Sequence, residues 1–292
     1  MQNSSISKIT LEGREFFVKR DDLFDPYLSG NKFRKLHSLI QIPKHTFHTI
    51  ISYGGSQSNA MLAIAALAKQ KGWHFIYYTK PLSQSQKETS LGNYADACLL
   101  GMEHKELDDE LYKDYIASLE IFNEKGVCVV HQGGADRLAQ EGLENLAQEI
   151  RLQIQEESAY DFTAVATPSG TGTTALFLAQ ALPELKVYTT PCVGSVSYLK
   201  EQMSALADIP SNLIILENPQ KYHFAKPYRE FYTIYKKLLE SGIEFDLLYA
   251  PAMWLTLLAQ PEEKILYIHS GGVSGNSSMK ERYKRKFSDV TF

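Results

Sequence analysis

The chain has 292 residues, enough for two compact lobes or one large α/β domain with a sizeable core. Hydrophobic residues make up 44% and charged residues 22%, ordinary globular values that exclude wholesale disorder. The formal net charge of −4, from 30 basic and 34 acidic residues, argues against nucleic acid as the main partner. The sequence lacks a signal-peptide pattern at its N-terminus and any run of about 18 apolar residues. We therefore expect a cytoplasmic protein without a membrane span.

The cysteine and histidine residues predict neither disulfides nor a metal site. Cys98, Cys128 and Cys192 are widely spaced, form no CxxC pair, and are odd in number. We predict that each is a small buried apolar side chain. His45 and His48 lie three residues apart, but no set of acidic residues or His-Glu-x-x-His pattern accompanies them.

The apolar pattern of the first half predicts a strand pair followed by strands and helices in alternation. The strand pair covers residues 8–20, and a helix then runs to about Leu39, before Pro43 interrupts it. The next predicted strands are residues 49–53, 74–78, 97–100 and 126–130, and the predicted helices are residues 59–69, 84–97 and 106–123. Such alternation is typical of a parallel sheet with helices on both faces.

The second half continues this alternation after a long polar helix over residues 137–157. Its predicted strands are residues 162–166, 186–189, 213–216 and 264–269, and its predicted helices are residues 173–182, 195–207 and 227–240. The predicted fold class is therefore α/β, with two lobes, each a mostly parallel sheet flanked by helices, and a cleft between them. We place the smaller lobe at residues 45–145 and the larger lobe at residues 1–44 plus 146–292. Functional sites in such folds lie at the C-terminal ends of strands.

Lys32 is the first candidate for a chemical role, because it lies where a short loop meets the start of a predicted helix. Backbone N–H groups and the positive end of the helix dipole favour the neutral form of an amine at that place. A neutral amine is the form that Schiff-base chemistry requires. Since charged residues are mostly exposed, a solvated basic turn formed by Lys32, Arg34 and Lys35 is the alternative interpretation.

Two loops rich in glycine and hydroxyl residues each connect a predicted strand to a predicted helix. Residues 54–59 could form an anion site at a helix N-terminus or an ordinary turn with a capping serine. Residues 167–175 combine two glycines with five hydroxyl residues at the start of the helix, which favours a phosphate cradle. Residues 170–175 also fit the dinucleotide pattern, which needs an acidic residue at the end of the next strand. That strand continues into residues 188–192 without an acid, so we prefer a lone phosphate.

Two further segments offer candidate side chains. Ser270 follows the last predicted strand, where its hydroxyl could face a ring nitrogen in the cleft, although a flexible turn explains the segment equally well. Tyr249 lies at a predicted strand or loop end and could act as an acid or base if its surroundings shift the pKa of its phenol. Because the chain has 17 tyrosines, position alone does not distinguish this one.

In their order along the chain, these motifs resemble the 1-aminocyclopropane-1-carboxylate deaminase / D-cysteine desulfhydrase family. That family belongs to the fold-type-II, tryptophan-synthase-β-like pyridoxal-phosphate enzymes. The resemblance rests on residues 19–22, 29–36, 54–59, 169–174 and 268–275 and spans nearly the whole chain. It implies pyridoxal 5'-phosphate as the cofactor, held mainly by the larger lobe, and a homodimer.

The resemblance also implies a role for each matched residue. Lys32 would form the Schiff base with pyridoxal phosphate, Asn59 would bond the ring hydroxyl oxygen, and Ser270 would face the pyridine nitrogen. The phosphate would be held by Gly170, Thr171, Gly172, Thr173 and Thr174. Ser58 would bind the substrate carboxylate or assist proton transfer, and Tyr249 would flank the substrate as an acid–base or nucleophile-positioning group.

The implied activity is that of a lyase or deaminase acting on a small amino acid. The two candidates are β-elimination from D-cysteine, giving pyruvate, sulfide and ammonia, and deamination of 1-aminocyclopropane-1-carboxylate. The chain departs from the family after Tyr249, where members carry a glutamate or a threonine and this sequence has Ala250. A non-catalytic pyridoxal-phosphate-binding protein therefore stays open, as does a nicotinamide-dependent oxidoreductase.

Overall fold

The computed structural model describes residues 3–88 and 90–292, which form ten strands and twelve α-helices. The strands are β1 (Ile6–Leu11), β2 (Arg14–Lys19), β3 (Thr49–Tyr53), β4 (His74–Thr79), β5 (Met102–Glu106), β6 (Val127–Val130), β7 (Ala164–Ala166), β8 (Lys186–Thr189), β9 (Leu213–Ile215) and β10 (Ile265–Ile268). The helices are α1 (Gly30–Lys35), α2 (His37–Gln41), α3 (Asn59–Lys71), α4 (Gln84–Lys87), α5 (Asn93–Leu99), α6 (Asp109–Glu120), α7 (Ala139–Glu156), α8 (Thr173–Ala181), α9 (Val196–Ser204), α10 (Arg229–Glu240), α11 (Ala250–Leu258) and α12 (Asn276–Lys286). Within these described residues, no helix is long and apolar enough to cross a membrane.

The larger sheet has six strands in the order β1-β2-β10-β7-β8-β9. β1 and β2 form an antiparallel hairpin, since Glu12 and Gly13 both have the positive φ values, 52° and 77°, that suit a tight two-residue turn. The other neighbouring strands are parallel. β10 lies inside the sheet and is buried along its whole length. Phe16 packs in one apolar cluster and its neighbour Phe17 in another, so the sheet has a core on each face.

The smaller sheet has four parallel strands in the order β5-β4-β3-β6. Helix α3 packs against it and is buried over residues 60–68, as expected for a helix that is apolar on all sides. The helix begins after Ser58, whose Oγ accepts a hydrogen bond from the Met61 N–H at 3.3 Å. It ends at Gly72, which has the left-handed conformation common at helix C-termini.

The predicted fold class is confirmed, because the chain forms two mostly parallel sheets with helices packed around them. The bounds of most elements also agree with the sequence prediction to within a few residues. The division of the chain into lobes at residues 45 and 145 stays a prediction.

Two predictions of local structure in this region were wrong. The single helix expected over residues 84–97 is two helices, α4 and α5, because Gly92 with φ of 90° interrupts it. Residues 97–100, predicted to be a strand, form the C-terminal end of α5 instead. The strand is β5, which begins at Met102. β5 is an edge strand with a half-exposed pattern, so its sequence lacks the apolar run that predicts a strand.

Other expectations need smaller corrections. The helix expected to reach Leu39 is divided at Leu36 into α1 and α2. Tyr249 does not follow a strand; it directly precedes α11, a helix whose first turn contains Pro251. Cys128 and Cys192 are buried as predicted, but Cys98 is exposed on α5, so the prediction is wrong for that residue.

Candidate functional site

A cavity of about 1080 Å³ lies where the loops after four strands, β3, β6, β7 and β10, come together. These loops follow the C-terminal ends of parallel strands in both sheets, the usual place for a site in such a fold. All the site residues predicted from the sequence line this one cavity: Lys32, Ser58, Asn59, Gly170, Thr171, Gly172, Thr173, Thr174, Tyr249 and Ser270. Their individual roles stay predictions.

Lys32 is the third residue of the short helix α1, and its Nζ donates a hydrogen bond to Asn31 Oδ1 at 2.9 Å. Burial lowers the pKa of Lys32 to about 8, and the nearby Asp246 carboxylate opposes this shift. The sequence analysis attributed a neutral Lys32 amine to the helix N-terminus, whereas in the structure burial is the cause. An amine with this pKa is available as a nucleophile near neutral pH.

Helix α1 is held in place by a backbone contact and by buried ion pairs. A Cβ added at Gly30, which has a φ of 58°, would lie 2.1 Å from the backbone of Ser270, so only glycine permits this approach. Arg34 donates two hydrogen bonds to Asp21, at 2.9 and 2.8 Å, and its Nη1 lies 2.8 Å from Glu149 Oε2. Lys19 contacts the same Glu149 carboxylate.

The solvated basic turn considered for this stretch is therefore wrong. Arg34 is only 2% exposed and Lys35 only 6%, and both side chains have protein partners. The carboxylates that pair with Arg34 are Asp21, in the turn after β2, and Glu149, on the distant helix α7. The motif at residues 19–22 thus acts through structure, since it anchors the helix that carries Lys32.

The loop between β7 and α8 has the features of a phosphate site. It ends in the N-terminus of a nine-residue helix, where free backbone N–H groups favour an anion. The hydroxyl groups of Thr171 and Thr173 lie 2.9 Å apart, and Asn31 Nδ2 donates to Thr174 Oγ1 at 3.4 Å. Gly172 has a φ of 79°, and a Cβ there would lie 2.5 Å from Met203 Cε. Glycine is therefore required at the turn that begins the helix.

Ser270 supplies an unsatisfied polar group on the cavity wall. Its Oγ is buried and has no hydrogen-bond partner among the residues that the structure describes. Such orphaned groups are rare in proteins, because each loses its hydration without compensation. A ring nitrogen of a bound ligand would satisfy this hydroxyl. Together with the amine of Lys32 and the phosphate-type loop, this donor set fits pyridoxal phosphate.

Ser58 and Asn59 lie at the start of α3, beside the other candidate residues. Ser58 Oγ caps the helix. Asn59 Oδ1 accepts a hydrogen bond from Asn93 Nδ2 at 2.7 Å. A Cβ added at Gly272 would lie 2.4 Å from Asn59 Nδ2, so the amide group packs directly against the loop that carries Ser270.

Tyr249 lies beside the phosphate-type loop, with its Cε1 3.4 Å from the position of a Cβ added at Gly170. Burial raises the pKa of the Tyr249 phenol well above its usual value, and the nearby Cys192 and Asp246 add to the shift. The phenol therefore stays protonated at neutral pH and can donate a proton or a hydrogen bond. Ala250 begins α11 and is buried, and it does not line the cavity.

Two charged residues on the cavity wall were missed by the sequence analysis as site residues. Lys35 Nζ donates to Gly133 O at 3.0 Å, and burial, with the nearby Lys32, lowers the pKa of Lys35 well below its usual value. Burial raises the pKa of Asp246 to about 6, against the hydrogen bonds from Tyr249 N–H and Leu248 N–H. Lys35 lies in the stretch that the sequence singled out, but no local signal separates it from an exposed lysine.

Asn93 was also missed, because it lies in a segment predicted to be an unbroken helix. It is fully buried at the start of α5, next to Asn59. The described residues contain no group of three or more His, Cys, Asp or Glu side chains that could hold a metal ion.

Comparison with known proteins shows the family to which the chain belongs. The model of a family described as "Pyridoxal-phosphate dependent enzyme" matches residues 5–208. A putative 1-aminocyclopropane-1-carboxylate deaminase of Thermotoga maritima is 28% identical over 92% of this chain and 92% of its own length. D-cysteine desulfhydrase of Serratia proteamaculans is 25% identical over 89% of this chain and 87% of its own length. A crystal structure described as an ACC deaminase homologue superposes with a TM-score of 0.77 at 23% identity, covering 97% of this chain and 94% of that one.

The fold, the cavity and the family match together define the class, that of fold-type-II enzymes that use pyridoxal phosphate. The chain belongs to the family of pyridoxal-phosphate-dependent enzymes, and its similarity lies with the 1-aminocyclopropane-1-carboxylate deaminase / D-cysteine desulfhydrase group. The resemblance and the cofactor predicted from the sequence are therefore confirmed.

Proposed function

We propose that the chain is a pyridoxal-phosphate-dependent lyase or deaminase of a small amino acid. D-cysteine desulfhydration is the first candidate activity and deamination of 1-aminocyclopropane-1-carboxylate the second. The observation that carries the proposal is that the Lys32 amine, with its pKa lowered to about 8, shares one cavity with a phosphate-type loop and the unpartnered Ser270 hydroxyl. The names of similar proteins of nearly the same length support the substrate class.

In this proposal the cofactor is held by the residues that the sequence analysis selected. Lys32 would bond it covalently, Asn59 would donate to its ring oxygen, and Ser270 would donate to its ring nitrogen. The phosphate would be bound by Gly170, Thr171, Gly172, Thr173 and Thr174, all of which line the cavity. Lys35 would add an N–H donor on the same wall, since Gly133, to which it donates, also adjoins Thr171.

The residues around the cofactor would then orient the substrate and move protons. Bound pyridoxal phosphate supplies an electron sink that accepts the electron pair released at the substrate Cα. Lys32 Nζ, displaced by the substrate amine, would accept the proton from Cα. The Tyr249 phenol, which stays protonated, would donate to the leaving sulfur. Ser58 Oγ, at the N-terminus of α3, would bind the substrate carboxylate. D-cysteine and one water thereby give pyruvate, hydrogen sulfide and ammonia.

The ranking of the two activities rests on the bond that each must break. Ala250 replaces both the glutamate of the resembling deaminases and the threonine of the resembling desulfhydrases, so it favours neither activity. Opening a cyclopropane ring requires breaking a carbon–carbon bond, whereas the thiol of D-cysteine leaves more readily. We therefore rank desulfhydration above ring opening. The family match does not favour a nicotinamide-dependent oxidoreductase or a protein that only binds the cofactor.

Absorption spectroscopy of the purified protein tests the cofactor assignment. The protein with pyridoxal phosphate should show a visible band that Lys32→Ala lacks and that Lys200→Ala, an exposed change on α9, retains. Borohydride reduction followed by peptide mass spectrometry should place the cofactor on the peptide that contains Lys32. A wild-type protein without the band, even with added cofactor, would contradict the proposal.

Product analysis tests the reaction. D-cysteine should change the visible band and release pyruvate, sulfide and ammonia in equal amounts, with no release from Lys32→Ala. L-cysteine and 1-aminocyclopropane-1-carboxylate are the comparison substrates. A band that no amino acid changes would favour the non-catalytic alternative.

We also propose the boundary of the smaller lobe, the oligomeric state and the cellular location of the protein. Residues 45–145 form the smaller lobe, which is supported by the four-stranded sheet lying within residues 49–130 and the six-stranded sheet lying outside them. A homodimer and a cytoplasmic location are supported by the family resemblance. Analytical ultracentrifugation and cell fractionation test the last two.

A further inference from the structure

Asn93 is a fully buried amide beside the site, and all of its hydrogen-bonding groups are used. Its Nδ2 donates to the backbone carbonyl of Gln57 at 3.1 Å and to Asn59 Oδ1 at 2.7 Å. Its Oδ1 accepts from the Ser274 hydroxyl at 3.0 Å. The side chain has no exposed surface. Asn93 thus connects the loop before α3 with the loop after β10.

These contacts determine the orientation of both amides. The carbonyl of Gln57 can only accept, so the group of Asn93 that faces it must be the NH₂ group. The second hydrogen of that NH₂ group then points at Asn59, which must present its oxygen. Consequently Asn59 keeps its own NH₂ group for other partners. That group lies next to Gly272, in the loop that also carries Ser270.

A second contact between the same segments supports this arrangement. Ser278 Oγ, on α12, donates to Gly275 O at 3.0 Å and lies 3.4 Å from Gln57 Oε1. A Cβ added at Gly92 would lie 2.7 Å from Gln57 Oε1 and 3.2 Å from Ser278 Cβ, so α5, α12 and the loop before α3 are closely packed here. Asn93 therefore has little freedom to move away from Asn59.

We propose that Asn93 is a positioning residue, which fixes Asn59 with its NH₂ group as a donor to the ring oxygen of pyridoxal phosphate. The inference rests on the proposed function, in which Asn59 contacts that oxygen. A donor there stabilises the oxygen in its negative form and keeps the proton on the nitrogen that joins Lys32 to the cofactor. If Asn59 presented its carbonyl instead, the ring oxygen would hold the proton.

The Asn93→Asp variant reverses this polarity with almost no change in shape. Its carboxylate has no hydrogen to donate, so it repels the Gln57 carbonyl and the Asn59 oxygen, and Asn59 gains by turning its NH₂ group toward Asp. We expect the visible band of the loaded protein to fall and the near-ultraviolet band, from the form with the proton on the ring oxygen, to rise. Cofactor affinity should fall about tenfold, the effect of one lost hydrogen bond.

Asn212 provides a matched control. The two hydrogens of its Nδ2 are shared among the carbonyls of Ala179, Leu182 and Leu185, at 3.0, 2.9 and 2.9 Å, and it does not line the cavity. Asn212→Asp makes the same chemical change to a structural amide. It should lower the melting temperature but leave the ratio of the two bands as in the wild type.

The ratio of the visible to the near-ultraviolet absorption band is measured at one pH for the loaded wild type and each variant, and cofactor affinity is measured by titration. Asn93→Ala is the second variant; it frees Asn59 to rotate and should lower the ratio less than Asn93→Asp. A ratio equal to that of the wild type in both loaded Asn93 variants would overturn the inference while the proposed function stands. Absence of the visible band from the wild type would instead contradict the proposed function itself.

Discussion

Arg34 and Asp21 form a buried pair with two parallel hydrogen bonds, at 2.9 and 2.8 Å, between the helix that carries Lys32 and the turn after β2. Asp21 is 0% exposed and Arg34 2%. The Glu149 carboxylate lies 2.8 Å from Arg34 and also contacts Lys19, so the group contains two positive and two negative side chains. Removing one member would leave a buried charge without its partner.

Arg34→Ala should therefore lower the free energy of unfolding by about 3–5 kcal/mol and weaken cofactor binding, because α1 loses its anchor. Urea unfolding measures the stability of the protein without cofactor. The control is Arg229→Ala, which removes a similar two-bond pair with Asp289 that is exposed to solvent. Exposed pairs contribute little, so this variant should change stability hardly at all. Equal effects of the two variants would show that burial is not what makes the Asp21 pair important.

The lowered pKa of Lys32 predicts how cofactor loading depends on pH. Only the neutral amine reacts, so the loading rate should rise with pH and level off above about 8. With an unperturbed lysine, the loading rate would continue to rise up to a pH of about 10.4. The growth of the visible band after mixing measures the rate, and the same series with a free lysine derivative corrects for ionisation of the cofactor. A rate that still rises steeply above pH 9 would contradict the assigned pKa.

Substitution of Asp246 tests how its charge affects the pKa of Lys32. Its carboxylate, with a pKa of about 6, is charged at pH 8 and raises the pKa of Lys32 by attracting the ammonium. Asp246→Asn keeps an oxygen that can accept from Tyr249 N–H and Leu248 N–H but removes the charge. The midpoint of loading should therefore move to lower pH, by up to about one unit. An upward shift would show that the charge does not act on Lys32.

Gly172 combines a left-handed backbone with a crowded Cβ position, 2.5 Å from Met203 Cε and 2.9 Å from Leu199 Cδ1. Gly172→Ala should lower the free energy of unfolding by about 3 kcal/mol and weaken binding of both pyridoxal phosphate and inorganic phosphate. Thermal unfolding and titration measure these effects.

Gly242 separates backbone strain from crowding. It has a similar φ of 83°, but nothing lies within 4 Å of a Cβ added there. Gly242→Ala should therefore show only the strain, about 1 kcal/mol, and normal phosphate binding. If both variants lose the same stability and bind phosphate equally well, the crowding at Gly172 has no consequence for the site.

Ser270→Ala should have opposite effects on the empty and the loaded protein. Without cofactor, the change removes a buried hydroxyl that has no partner, so stability should stay equal or rise by about 1 kcal/mol. With cofactor, affinity should fall about tenfold, since the ring nitrogen loses its donor. Calorimetric unfolding with and without cofactor measures both.

Thr189→Val is the corresponding control at a satisfied hydroxyl. Thr189 Oγ1 donates to Thr167 O at 2.8 Å and lies 2.6 Å from Ser169 Oγ, and the residue is fully buried. Its loss should destabilise the empty and the loaded protein alike, by about 1–3 kcal/mol. A destabilised empty Ser270→Ala protein would mean that Ser270 has a structural partner after all.

Local sequence patterns predicted most of the fold because they depend on neighbouring residues. The buried strands β3 and β4 and the apolar helix α3 have periodic apolar residues and clear ends, such as Ser58 and Gly72. The errors fall where packing overrides the local pattern. β5 is a half-exposed edge strand, and α11 begins inside a segment that was interpreted as a strand or loop end.

The candidate site was predicted in part for the same reason. Its loops are continuous stretches of sequence, so the order of glycine, hydroxyl and lysine motifs is visible without a structure. Asn93 has no such signal, since it lies 34 residues from Asn59 and has an ordinary helical neighbourhood. Lys35 and Asp246 were missed for a related reason: their side chains are unusual only because they are buried beside the cavity.

The order of the elements, the strand-end loops and the position of Lys32 follow from the amino-acid sequence, because the hydrophobic period and the turn residues act over a few neighbouring positions. The three-dimensional structure was needed to show which charges are buried, how the amides are oriented, and which hydroxyl lacks a hydrogen-bond partner. Those properties depend on residues brought together from distant parts of the chain. Lys32 illustrates both cases. Its place at the start of a helix is visible in the sequence, whereas its pKa of about 8 comes from burial, which outweighs the opposing charge of Asp246.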